Sequence, residues 1–273
     1  MSEVTKEESE VLLPKNKLLG VVAKIRQEDG GENVIELLSE RLRDLGAADH
    51  QIAFFSNVLY QIQEDIKISN LRLEEKDINS IHEMELYLAG RLNSMASFLL
   101  ALSPEKREEQ LSTAESVAGL LDPKKWTGIK RGLVGTTGSF LLMQKLAPES
   151  DIRLPTPEED VDRGVDLVVG NIFIQVKTKK GEDCQVFTDP EALASYYATR
   201  YSLSDVSDTN KKQFVERLER ETADFRRLTD YAGEKGKAPV FLVLPSSFIN
   251  SQNCEPQTDN LPEVQEIINS LAS

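Results

Sequence analysis

Two cysteines, Cys184 and Cys254, are all the thiols in 273 residues, and they lie far apart. No disulfide framework and no zinc-ligand spacing can be built from them, so a reducing cytoplasm is the expected compartment. Histidine is as scarce, with His50 and His82 only. Both fall in helical segments without a nucleophile or ligand partner at a telling spacing, which gives Ser-His and Cys-His catalysis no support. Positive charge is outweighed, 32 Lys and Arg against 46 Asp and Glu, for a formal net charge of -14. A field of that sign repels polyanions and argues against wholesale binding to nucleic acid or an anionic membrane, so any such contact needs a local basic patch. No apolar run approaches the roughly 20 residues of a membrane-spanning helix. The opening "MSEVTKEESE" is acidic and lacks the apolar stretch of a signal or transit peptide.

What is present is enough for a large core: 40% of residues are hydrophobic. Up to about Pro123 the periodicity is helical. "NVIELLSERLRDLGA" places Val34, Leu37, Leu38, Leu42 and Leu45 at helical spacing before Gly46. "HQIAFFSNVLYQIQEDI" follows, then a pattern from Ile78 to Leu102 ended by Pro104, then "PEKREEQLSTAESVAGLL". This half predicts an all-helical domain, 1–122, for recognition or oligomerisation, through which a homodimer or a protein partner would form. At "LDPKKWTGIKRG" the residues Pro123, Gly128 and Gly132 predict a break, and the domain boundary is placed there. The remainder, 123–273, reads as helix ("GSFLLMQKLA"), strand ("DIRLP"), two strands in "GVDLVVGNIFIQVKTKKG", a variable stretch, a long helix, the strand "PVFLVLP" and a last helix. That order predicts an α/β (α+β) fold, a mixed sheet flanked by helices.

Gly170-Asn171 is a two-residue hairpin turn. It opposes Val169 to Ile172, Leu167 to Ile174, Asp166 to Gln175 and Val165 to Val176. One face then carries Val165, Leu167, Val169, Ile172, Ile174 and Val176 and is expected to be core. The other carries Asp166, Val168, Phe173, Gln175 and Lys177. Opposed Cβ atoms in such a ladder lie about 5 Å apart and diagonal ones about 7–8 Å, so Asp166, Gln175 and Lys177 are expected to form one triangle. A half-buried carboxylate and ammonium seldom improve stability over apolar residues, which invites a functional reason; the plain alternative is an edge salt bridge. "PTPEEDVDRG" brings Glu158, Glu159, Asp160 and Asp162 towards the same place.

Asp166, Gln175 and Lys177, spaced D-x8-Q-x-K between a preceding helix and a following helix and strand, resemble the core of the PD-(D/E)XK, or restriction-endonuclease-like, nuclease superfamily. The "GVDL...IQVK" phrasing is most similar to the Mrr-like variant. The resemblance covers roughly 124–244 and implies an αβββαβ core and a Mg2+- or Mn2+-dependent endonuclease acting on DNA. It implies metal binding by Asp166, the Gln175 amide oxygen and the Val176 carbonyl, and a Lys177 that orients the attacking water. The helix before the first strand has Thr136, Thr137 and Ser139 where many members carry Glu; Asp160 or Glu159 is the candidate replacement. Lys124, Lys125, Lys130, Arg131, Lys179 and Lys180 are the candidate DNA track. The other function class is a catalytically silent nuclease fold that binds protein or nucleic acid.

Tyr196, Tyr197, Arg200 and Tyr201 mix aromatics with Arg, as stacking surfaces for bases do, but Tyr pairs at helical spacing are more often core. In "KKQFVERLERETADFRRLTDYA", Phe214, Leu218, Phe225 and Leu228 form an expected core stripe, the charged residues an expected solvated face.

Overall fold

The computed structural model describes residues 12–28, 33–73, 78–179, 183–200, 208–257 and 261–272. They form two compact units, one of residues 1–84 and 94–132, the other of 85–93 and 133–273.

In the first unit the described helices are α1 (Lys15–Gln27), α2 (Val34–Asp44), α3 (Asp49–Leu73), the two ends of α4 (Ile78–Leu100), α5 (Pro104–Ala118) and the start of α6 (Pro123–Leu146). Helix α1 was not expected, although Leu18, Val21, Val22 and Ile25 have the spacing of one helical face and all four are buried. It packs against α2 and α5, and α3 packs against both of those helices. The core of the unit is α3, where Phe54, Phe55, Val58, Leu59 and Ile62 are almost completely enclosed. Beneath α1 the buried Gln51 accepts from Leu13 N–H (2.9 Å) and donates to Leu13 C=O (3.1 Å) and Gln110 Oε1 (3.0 Å). Each of these polar atoms would otherwise be left without a partner in an apolar interior.

The break expected at Pro123, Gly128 and Gly132 does not occur: α6 is one helix of 24 residues. Pro123 is its first residue, where a missing N–H is harmless. A helical glycine costs about 1 kcal/mol relative to Ala. Burial of Trp126, Leu133, Leu142 and Met143 along the same helix outweighs that. The division between the two compact units falls within this helix, between Gly132 and Leu133. Gly138 is there for close packing, since a Cβ would lie 2.3 Å from Ile249 Cγ2.

The second unit holds a mixed sheet. Its strands are β1 (Ile152–Arg153), β2 (Leu167–Val169), β3 (Ile172–Lys179), β4 (Gln185–Phe187) and β5 (Ala238–Pro245), in the order β1-β2-β3-β5-β4. Only the β3–β5 pair is parallel. Helices α8 (Pro190–Arg200) and α9 (Asp208–Lys235) pack on each other, α9 lies on β3 and β5, and α10 (Pro262–Ala272) packs on β3 and β4. The short helix α7 (Pro157–Arg163) fills the stretch between β1 and β2. Strand β4 and helix α8 occupy the stretch left unassigned from sequence.

The hairpin has the expected register, Val169 opposite Ile172 and Leu167 opposite Ile174, and Gly170 takes positive φ (52°). Both faces are core. Leu167, Val169, Ile172 and Ile174 are enclosed on one, while Val168 and Phe173 join Phe225, Leu228, Phe241 and Val243 on the other. Val165 belongs to that second cluster, not to the face of Leu167 as alternation required. The reason is local: Asp166 N–H bonds to Ile174 C=O (2.8 Å), one step out of the hairpin register, so Val165 changes faces and the expected pairs of Asp166 with Gln175 and of Val165 with Val176 do not form.

Candidate active site

Helix α7 prepares the site. Thr156 accepts from Glu159 N–H (3.2 Å) and the Glu159 carboxylate accepts from Thr156 N–H (2.8 Å), a capping box that starts the helix. Gly164, at φ 69°, ends it and turns the chain into Val165 and Asp166. Seven residues of helix between a cap and a left-handed glycine thus set where Asp160 and Asp166 stand.

Asp166 leaves the ladder and uses its side chain in place of the missing pairing: Oδ2 accepts a 2.6 Å bond from Val176 N–H. A residue's N–H and C=O point to the same edge of a strand, so the Val176 carbonyl also projects towards Asp166. Burial pushes the Asp166 carboxyl above its usual range, opposed by the Lys177 ammonium and the Val176 N–H, and the Asp224 carboxylate raises it further. Asp160 is pushed up to about 7 by burial and then by the charge of Asp166, with Lys177 opposing. Two carboxylates and one ammonium therefore share one electrostatic neighbourhood.

Gln175 is 2% exposed, and among the described residues its Oε1 has no hydrogen-bond partner. Its amide Nε2 lies against Gly164, where a Cβ would approach to 3.1 Å. A buried amide oxygen without a donor is costly and demands an explanation. A hard divalent cation supplies one, because the donors at hand (Gln175 Oε1, the Asp166 and Asp160 carboxylates, the Val176 carbonyl) are all oxygen. As placed, no three His, Cys, Asp or Glu side chains converge among the described residues. The donor chemistry fits Mg2+ or Mn2+ with two carboxylates, an amide and water.

Several expected members are elsewhere. Glu159 is not available to a metal: Arg153 holds it with bonds of 2.7 and 2.8 Å, and that partner keeps its carboxyl below the usual range despite burial. Lys179 is no part of an exposed DNA track. It is 9% exposed, and its Nζ lies 2.7 Å from both Glu221 Oε2 and Tyr197 Oη. Strand alternation turns Lys179 to the same side as Phe173, under α8 and α9. Lys180 and Tyr201 lie outside the described residues. Lys125 pairs with Asp65 (2.8 Å) and Lys130 with Glu115 (3.4 Å), while Lys124 and Arg131 are exposed. Tyr197 is core, donating its hydroxyl to Glu221 (2.5 Å). The Thr137 and Ser139 hydroxyls are buried, and neither has a partner among the described residues.

Asp224, on α9, is the neighbour that sequence reasoning assigned to a solvated face. The signal was the interruption of the apolar stripe Leu218, Phe225, Leu228 by Glu221 and Asp224. Among the described residues no helix is long and apolar enough to cross a membrane. Comparison with protein-family models, with curated proteins and with solved structures gives no match.

Proposed function

We propose that this protein is a metal-dependent nuclease that hydrolyses phosphodiester bonds in DNA, with a core of the PD-(D/E)XK type. The observation that carries the reading is the buried, partnerless Gln175 Oε1 on the strand that carries Lys177, whose ammonium shares one electrostatic neighbourhood with Asp166 and Asp160. The element order from α6 through β1, β2, β3 and α9 to β5 supports the αβββαβ core, with α7, β4 and α8 as insertions.

Asp166, Gln175, the Val176 carbonyl and Asp160 would hold Mg2+ or Mn2+. When bound, the ion lowers the pKa of a coordinated water and offsets charge on the phosphate. Among the described residues Lys177 makes no ion pair or hydrogen bond, so its ammonium would donate to the attacking water and a phosphate oxygen. In the reaction the water oxygen forms a bond to phosphorus, the bond from phosphorus to the leaving oxygen breaks, the water proton passes to solvent, and the leaving oxygen takes up a proton. The Val176 N–H holds the Asp166 carboxylate in place throughout. The first unit, which is helical and holds none of these residues, is assigned to target or partner choice.

The test is cleavage of supercoiled plasmid and branched DNA with Mg2+ or Mn2+, by the wild type and by Asp166→Ala and Lys177→Ala. Metal-dependent cutting lost in both variants is expected. Absence of cutting on every substrate, with no divalent-metal binding by calorimetry, would overturn the assignment in favour of a silent nuclease fold that binds protein or nucleic acid. The neutral Gln175 and the absence of Asp and Glu from the α6 sequence are what favour that alternative.

A further inference from the structure

Helix α9 runs antiparallel to β3 and its contacts set the alignment. Glu221 bonds to Lys179 at one end, and Tyr231 stacks on Phe173 at the other, with ring centroids 5.2 Å apart and planes 10° from parallel. Between these anchors the helix advances about 15 Å at ~1.5 Å per residue. The strand covers about 20 Å at ~3.3 Å per residue. Asp224, one turn beyond Glu221 and about 4.5 Å along the helix, therefore comes level with Lys177, two residues and roughly 6.6 Å back along the strand from Lys179.

Asp224, four residues before Leu228 and seven before Tyr231, flanks the sheet-facing stripe that those residues form with Phe225, and its side chain keeps 23% exposure. Arg227, on the solvent side and 54% exposed, holds it with a 2.6 Å bond. The independent sign of a ligand is the enclosed Gln175 Oε1, on the same face of β3 as Lys177 and without a partner among the described residues. A neutral amide leaves the proposed cation site with less negative charge than a second acid on β3 would give.

We propose that Asp224 is a further cation ligand, which exchanges Arg227 for the metal and supplies from α9 the charge that Gln175 lacks. This rests on the nuclease reading of the same site. A surface ion pair of this kind is weak, so a divalent cation displaces Arg227 readily.

The test is Mn2+ binding to the metal-free full chain, measured by calorimetry and by the loss of free-Mn2+ electron paramagnetic resonance signal, with thermal melts alongside. Wild type is expected to bind, Asp166→Ala to lose binding, Asp224→Asn to bind at least tenfold more weakly with an unchanged melting temperature, and Arg227→Gln to bind as tightly as wild type or tighter. Wild-type affinity in Asp224→Asn overturns the inference and leaves the nuclease reading standing. Equal losses in Asp224→Asn and Arg227→Gln also overturn it, because the ion pair and not the carboxylate would then matter. A wild type that binds no Mn2+ overturns both together.

Discussion

The Asp166 carboxylate accepts a 2.6 Å hydrogen bond from the main chain of Val176, so a side chain takes the place of the β2–β3 ladder where that ladder stops. The consequence is a carboxylate held against the backbone beside Lys177, with one oxygen engaged and the other available. That bond, the left-handed Gly164 and the buried Gln175 amide interlock within a few residues.

Gly164→Ala is expected to destabilise the protein by about 1–2 kcal/mol, because alanine resists a φ of 69°. Its Cβ would also press on Gln175 Nε2 from 3.1 Å and displace the amide. Chemical denaturation measures the first effect, and Mn2+ affinity, expected to fall in the same variant, measures the second. Unchanged affinity in a destabilised variant would separate Gln175 from the site.

Breaking the Lys179–Glu221 pair with Glu221→Gln is expected to cost ~3–5 kcal/mol near neutral pH, because it leaves a buried ammonium without its counter-charge. Lys179, Tyr197 and Arg217 hold the Glu221 carboxyl below its usual range against the opposing effect of burial. A lowered folded pKa means that this stabilisation is full above the unfolded value and is lost as pH falls through the folded one. The difference between wild type and variant should therefore shrink on acidification, which urea unfolding at a series of pH values would reveal. The double replacement of Lys179 and Glu221 by Met and Leu is expected to recover most of the loss.

Asp160 provides the opposite sign. Its carboxyl is raised to about 7, so the folded state favours the protonated form and stability falls as pH rises from the unfolded value through about 7. In metal-free buffer Asp160→Asn is expected to match wild type at pH 4 and to exceed it by roughly 2–4 kcal/mol at pH 8, each pKa unit being worth about 1.4 kcal/mol. Equal stability of the two proteins at pH 8 would show that Asp160 is not under the strain of burial and of Asp166.

Local patterning was enough for much of this molecule. The α2 to α5 periodicities, the Gly170 turn, the Val169–Ile172 and Leu167–Ile174 register and the mixed sheet with its helices follow from spacings of 3.6 and 2 and from turn chemistry, all of which act between near neighbours in sequence. The placing of Gln175 and Lys177 on one face of β3 was legible for the same reason, whereas the expected opposition of Asp166 to Gln175 was not, because Asp166 leaves the ladder beside Ile174. Other features depend on groups brought together from distant segments. Lys179 reads as a surface cation until Glu221 and Tyr197, 42 and 18 residues away, enclose it. Glu159 and Asp160 are indistinguishable acids until Arg153 claims one and Asp166 and Lys177 surround the other. The continuity of α6 through its glycines and the two-sided burial of the hairpin belong to the same class. Intrinsic preference amounts to about 1 kcal/mol per residue, and tertiary burial on both sides of a helix or sheet outweighs it.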